Sequence, residues 1–572
     1  MMSRFSVCLL LLLCMTSRSY AQTPFYHYFE DTIRPGFRIS GSFDSIDTKL
    51  GIYQSTLPTS WRPALEAFDL SRMYISAPLT MKPIRFSSIA HVGLQYSFGS
   101  NVSQQGGISY TQALTENQFV QLDYLRRNSN GAIRNSAYER NHFELAHLVR
   151  KQRYASQVTL LFEGNVNGAN GGLVNDSVDE TLPIEFSDVE KPDGLLTQHE
   201  FAANWKNFFS FTKDSLVKTG IYVAPHYRIS DRRFHETGDI NAIYGLVNYD
   251  SIETNDFWQL SEIGGTAGYF FHTQPFSVNA GFRGTYWDYD NKIRRNDTTE
   301  LGIAGDLVVS PFKALQLKAA GSYTFIGAAG EKHLSARLNY LPGFAHVNVK
   351  FLFSQKFPMI YQRNYYGNSI DYGWQEKTLI TTTKLEANIV SRKTFLPLSA
   401  GVSFTNVLNN PFFTGSEWNQ DTLSNLSFLS LHARADLNWR KLFFQPFVRW
   451  QQSNFEYVPE LQLMARVGFD GFLFKAKKLR ATIGIEAGYT SSFRLLDYVP
   501  MMDAYVLPVA TRDYEAMPRL HVFTQFELGF FRWYIRVENI EQTFWEPTNQ
   551  EALGYPVVPL QLRIGLSWDL FN

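Results

Sequence analysis

Leu560-Gln-Leu-Arg-Ile-Gly-Leu-Ser-Trp-Asp-Leu570 alternates without a break. Successive side chains of an extended chain point to opposite faces, so Leu560, Leu562, Ile564, Leu566, Trp568 and Leu570 share one face of a strand. Gln561, Arg563, Gly565, Ser567 and Asp569 share the other. Upstream, Leu429, Leu431, Ala433, Ala435, Leu437 and Trp439 oppose Ser430, His432, Arg434, Asp436 and Asn438 in the same way. A turn at Arg440 and Lys441 then leads into Leu442, Phe444, Pro446, Val448 and Trp450. Segments of about ten residues with one apolar and one polar face, repeated along a chain, are the pattern of a transmembrane β-barrel with a wet interior.

Further strands of this kind begin at Val92, Leu94, Tyr96 and Phe98 and recur to the C-terminus. The expected fold is all-β: a transmembrane antiparallel β-barrel of about 22 strands, within 20 to 24, over residues 90–572. Connections alternate in length. Short ones fall at Thr115 to Asn117, Arg150 to Arg153, Ser310 to Lys313, Leu341 to Phe344, Arg440 to Lys441 and Phe531 to Arg532. Long ones fall at Asn165 to Gln198, Ser230 to Leu260, Phe357 to Lys377, Asn409 to Ser427, Ser491 to Arg519 and Glu541 to Pro559. Short turns belong to the periplasmic rim and long loops to the extracellular side, which places both termini in the periplasm.

A barrel explains a length of 572 residues without several soluble cores, because its apolar surface faces lipid. It also reconciles 44% apolar and 15% aromatic residues with a mean hydropathy of -0.21. After residue 21 no apolar run approaches the 18 or so residues of a spanning helix. Residues 1–21 read as a signal peptide: Arg4, an apolar run from Val7 to Met15, then Ser19-Tyr20-Ala21, with cleavage after Ala21. Both cysteines, Cys8 and Cys14, lie in that segment, so the mature chain is expected to hold no thiol. Removing Arg4 and Arg18 from the 53 basic residues leaves 51 against 53 acids, which argues against a nucleic-acid partner. Residues 22–89 have irregular spacing and are expected to form a periplasmic lead-in or partial plug.

The motifs of catalysis fail one by one. His199-Glu200 and His235-Glu236 lack the second histidine of a zinc-protease helix. Asp288-Tyr-Asp290-Asn291 would need glycine and glutamate where Ile293 and Thr299 stand to hold calcium, and it reads as a hairpin loop. The glycines from Gly164 to Gly172 have the wrong spacing for phosphate. No enzyme activity, cofactor or metal site is expected.

Charges on the polar strand face do suggest a lumen: Lys384 and Glu386, Arg434 and Asp436, Arg449, Arg466 and Asp470, Glu486, Arg536 and Glu538. Lys or Arg facing hydrocarbon near the bilayer midplane costs roughly 2 to 4 kcal/mol, so this face turns inward and these are candidate pore-lining residues. Asp176, Asp179, Glu180, Glu185, Asp188, Glu190 and Asp193 form a candidate acidic loop. Folded into the barrel it would attract cations; left outside it is a solvated surface.

From Phe86-Ser-Ser-Ile-Ala-His-Val-Gly-Leu-Gln-Tyr-Ser-Phe-Gly-Ser-Asn101, through Ile108-Ser-Tyr-Thr-Gln112, to Phe531-Arg-Trp-Tyr-Ile-Arg-Val-Glu-Asn-Ile540 and Leu562-Arg-Ile-Gly-Leu-Ser-Trp568, the chain resembles the Bacteroidetes-type outer-membrane putative porin family. The Val537-Glu-Asn539 segment also looks like the ends of energised receptor barrels. The last strand resembles the signal read by the barrel-assembly machinery, carried here by Ile564, Leu566, Trp568, Leu570 and Phe571. Phe571 stands one place off the alternation, and Asn572 follows it. The resemblance implies a porin of the bacterial outer membrane for passive diffusion of small polar solutes, partnered by lipid and the assembly machinery. The alternatives are a plugged, substrate-specific receptor or a non-conducting structural barrel; a homo-oligomer stays open.

Overall fold

The computed structural model describes residues 90–571, apart from 175–185, 214–216, 374–377, 392–396, 415–416, 421–424, 509–510 and 545–549. The signal segment, its cleavage point after Ala21 and the lead-in over 22–89 lie outside the described residues. Alternation becomes architecture through register: antiparallel partners face the same side, so one apolar set continues from strand to strand. Leu94 stands between Ile108 and Trp568, and Phe98 opposes Ile564.

The barrel strands are β1 (His91–Gly99), β2 (Ser103–Thr115), β3 (Gln118–Ser129), β4 (Tyr138–Arg150), β5 (Tyr154–Gly168) and β6 (Leu195–Ser210). Next come β7 (Val217–Thr237), β8 (Glu253–Thr273), β9 (Phe276–Asn291), β10 (Arg294–Phe312), β11 (Leu315–Ile326) and β12 (Lys332–Tyr340). They continue as β13 (Ala345–Lys356), β14 (Ile380–Ser391), β15 (Leu398–Leu408), β16 (Leu426–Ala435, resuming as Leu437–Trp439) and β17 (Leu442–Ser453). The last are β18 (Leu461–Phe472), β19 (Leu479–Thr490), β20 (Met517–Leu528), β21 (Phe531–Glu538) and β22 (Gln561–Phe571). Each pairs antiparallel with its neighbour in sequence, and β1 pairs β22 from His91↔Phe571 to Gly99↔Arg563, which closes 22 strands into a ring. Closure leaves no strand edge to meet lipid.

The outside is apolar: Phe282 is 72% exposed and Trp439 69%, values that would be costly in water and are ordinary in hydrocarbon. The last strand presents Ile564, Leu566, Trp568 and Leu570 on this face.

Two stretches differ from their sequence reading. Ser230 to Leu260 was expected as a loop, yet β7 and β8 run 21 residues each and only 238–252 connect them. Above the apolar belt the outward face of these strands turns polar, as at Asp231, Arg233, Asn255 and Gln259, while Phe234 and Trp258 face inward to the cap, so the lipid-facing pattern vanishes while the ladder persists. Likewise Asp288 to Asn291 is the paired end of β9, with Asp288 opposite Asp297, and the turn itself is Lys292-Ile293.

A ring of 22 strands about 4.8 Å apart and tilted about 40° spans roughly 44 Å between opposite backbones, far more than lining side chains can fill. Long loops fold inward across one end of it. Residues 412–413 and 418–419 of the β15–β16 loop join 497–499 and 504–506 of the β19–β20 loop in a four-stranded sheet. Beneath it Phe413, Trp418, Met501, Met502 and Val506 pack with the inner faces of Leu196, Phe234, Trp258 and Tyr289 on β6 to β9. Trp258 stacks on Tyr361 of the β13–β14 loop, ring centres 5.2 Å apart. Leu173 N–H donates to Gly554 O at 2.8 Å, tying the β5–β6 loop to the β21–β22 loop. A Cβ at Gly172 would lie 3.1 Å from Gly554 Cα, so this crossing is fitted to glycine on both sides.

Candidate functional site: the inner wall and its loop cap

All ten charged residues singled out for the lumen lie on inward-facing positions, but in three different settings. On β18 to β22 they form a closed ionic network. Glu486 accepts from Arg466 Nε at 2.5 Å and Arg536 at 3.0 Å, Arg536 Nε reaches Glu538 at 2.8 Å, and Arg563 reaches Glu538 at 3.1 Å. These side chains are nearly inaccessible to water, with Glu486 only 6% exposed. Closer to the short-turn rim, Asp470 takes both Nε (2.6 Å) and Nη2 (2.5 Å) of Arg480. On β16, Arg434 Nη2 meets Asp436 at 3.1 Å.

On β13 and β14 the setting is open. Glu386 is held by Lys350 at 3.0 Å and Lys384 at 2.8 Å, and Lys350 is 48% exposed to the lumen. Among the described residues Arg449 on β17 has no carboxylate partner; it donates to Gln462 Oε1 at 3.1 Å and lies over the Phe447 ring.

A second ionic network lines β4 to β8: Glu163 meets Arg140 and His142, Arg228 Nε donates to Glu200 at 2.6 Å, and His226 Nε2 lies 2.9 Å from Glu262. Glu200 entered the sequence reading only through the rejected His199-Glu200 motif and the others escaped it, although the alternation flanking them (Phe143 and Leu145; Phe162 and Leu160) marks them as inward.

The cap is anchored by Arg232 on β7, buried and donating to the carbonyls of Pro500 and Met501. β7 and β19 are nearly diametric in a ring of 22, so the β19–β20 loop crosses the mouth. Asp503 in that loop accepts from Gln198 Nε2 at 2.8 Å and from Tyr498 Oη; burial pushes its carboxyl above the usual range, against the pull of Arg232. Arg232 escaped notice because its stretch read as loop.

Of the acidic loop, Asp188, Glu190 and Asp193 are exposed; Asp188 lies 3.6 Å from Arg134 and Asp193 accepts from Thr237 N–H at 3.0 Å. Asp176, Asp179, Glu180 and Glu185 lie outside the described residues.

A family model described as "Putative porin" matches residues 89–572. No curated protein matches the chain. Among solved structures, the siderophore receptor PirA from Acinetobacter baumannii aligns with TM-score 0.59 at 8% identity, over 86% of this chain and 81% of its own. The FrpB iron transporter from Neisseria meningitidis (F3-3 variant) aligns at 0.56 and 9% identity, over 84% and 82%. The copper transporter OprC aligns at 0.57 and 10%, over 86% and 82%. At these identities the likeness is one of fold: a large barrel of the bacterial outer-membrane type.

Proposed function

Because the chain belongs to the putative porin family over residues 89–572, we propose that it lets small polar solutes diffuse passively across the outer membrane, along its ionic inner wall and past a loop cap that narrows the mouth. The observation that carries this reading is the division of the two faces: apolar side chains outside, and carboxylates, guanidiniums, ammoniums and amides inside. A chain needs such an interior only if water fills part of it. Diffusion calls for neither cofactor nor catalysis. By the alternation of connection lengths, the short turns and both termini belong to the periplasm, and the capped mouth opens outward. Lipid surrounds the belt, and the final strand from Ile564 to Leu570 is what the assembly machinery would read.

The apolar core under the cap favours a second reading, a gated receptor whose mouth opens only for its ligand. The structures it aligns with bear the titles of a siderophore receptor and of iron and copper transporters. Planar-bilayer recording of the refolded full chain separates the two. Passive diffusion gives steady current without added ligand. A silent membrane containing folded protein overturns it in favour of gating.

A further inference from the structure

We propose that the inner wall from β11 to β17 is an anion-binding surface, centred on Arg337 and Lys350, for solutes bearing carboxylate or phosphate groups. This deepens the diffusion reading and rests on the lumen being the solute's path. Register creates the surface. Lys318 stands directly opposite Arg337, Arg337 opposite Lys350, and Lys350 opposite Glu386. Beside that row, partners run Asn339, Asn348, Asn388, Gly401, His432 and Arg449. With Lys384 one step away on β14, these rows carry five fixed cations and one carboxylate, and the Arg434–Asp436 pair beside them on β16 adds one charge of each sign.

That carboxylate, Glu386, is already shared by Lys350 and Lys384. On the β10 side, Asp306 accepts from Asn279 Nδ2 through both oxygens, each at 3.0 Å, and it and Lys318 have further partners. Arg337 is exposed to the lumen, and among the described residues no carboxylate comes within ion-pair reach of it. The contrast with β18 to β22 is direct: there Glu486 and Glu538 each lie between two arginines, and the opposite charges largely offset one another. Like charges opposed across antiparallel strands repel, so Arg337, standing between Lys318 and Lys350, needs counter-charge from elsewhere. A solute anion in the wet lumen supplies it. A guanidinium fork matches carboxylate and phosphate oxygens two at a time, and the neighbouring asparagine amides add neutral donors. Gly401 gives Asn388 and His432 room, since a Cβ there would collide with both. Arg337 lies three residues from the short-turn end of β12, about 10 Å below the rim at ~3.3 Å per residue, so a solute meets this wall after passing the cap.

The test pairs two readouts on the full chain: ion selectivity in bilayers under a KCl gradient, and binding of inorganic phosphate to the detergent-solubilised barrel by calorimetry. Arg337→Gln combined with Lys350→Gln should lower the chloride-to-potassium permeability ratio at least twofold and weaken phosphate binding at least fivefold. Arg337→Lys with Lys350→Arg should keep both near wild type, as should Arg440→Gln at the rim turn, which removes a cation elsewhere. Heat-modifiable migration verifies that each variant is folded. Phosphate binding that is absent from the folded wild type, or equal in the Gln variant, overturns the anion surface. A barrel that passes no current yet binds phosphate through Arg337 overturns diffusion and leaves the surface standing.

Discussion

Glu486 shows what a single inward carboxylate does in this barrel. It lies between Arg466 and Arg536 with almost no access to water, so Glu486→Ala would leave two guanidiniums short of counter-charge. Breaking a buried pair in this way costs about 3 to 5 kcal/mol. Glu386→Ala, among half-exposed lysines, should cost less than about 1 kcal/mol. Urea unfolding of the two variants in the same lipid measures the difference, and equal losses would mean that the network is open to water. Asp503 carries a pH dependence. Its carboxyl is raised in the folded cap, so the folded form holds the proton more tightly than the unfolded chain does. Its contribution is full below the ordinary carboxylate range and fades as pH rises through the raised value. The cap should therefore resist protease better toward the acid end than at pH 8, and Asp503→Asn should flatten that difference; limited proteolysis from acid to neutral pH checks both. At this scale the sequence was legible in part. Alternation states which charges face inward, and it did so for Lys384, Arg434 and Arg536. It cannot state which of them meet, because partners such as Arg466 and Glu486 lie on neighbouring strands whose register depends on turn geometry.

Strands were legible wherever lipid imposes an apolar face, and illegible where it does not. β15 to β19 and β22 could be read residue by residue, whereas β7 and β8 lost their pattern above the belt and passed for loop. The cap strands of the β15–β16 and β19–β20 loops are two or three residues long and follow no period, so nothing in them announces that they pair with each other. The two faces of one strand respond differently to an added charge. Leu431, at mid-strand of β16, faces outward, while Ser430 faces the lumen between Ser403 and Gln451. Leu431→Arg should destabilise the barrel by roughly 2 to 4 kcal/mol and Ser430→Arg by well under half of that. Unfolding in lipid bilayers reads both, and a reversed order would mean that the strand's faces are the other way round.

At the level of the whole molecule, width and cap act against each other. A ring of 22 strands, left empty, would pass solutes with little discrimination, whereas the inward loops narrow its mouth with an apolar core held from the opposite wall by Arg232. The core joins loops from strands far apart in the ring, so no single hinge opens it. Shortening one loop should nevertheless be enough to widen the path, because the β19–β20 loop supplies half of the four-stranded sheet and the partners of Arg232 and Gln198. Replacing residues 495–514 with a short Gly-Ser link should raise single-channel conductance several-fold, while the anion preference set lower down by Arg337 and Lys350 persists. Arg232→Ala alone should give intermittent openings rather than a uniformly larger current, since it loosens the anchor and leaves the apolar packing. Recordings from the two variants at the same voltage separate these outcomes. An unchanged conductance in the shortened protein would place the narrowest point of the path below the cap, on the barrel wall itself.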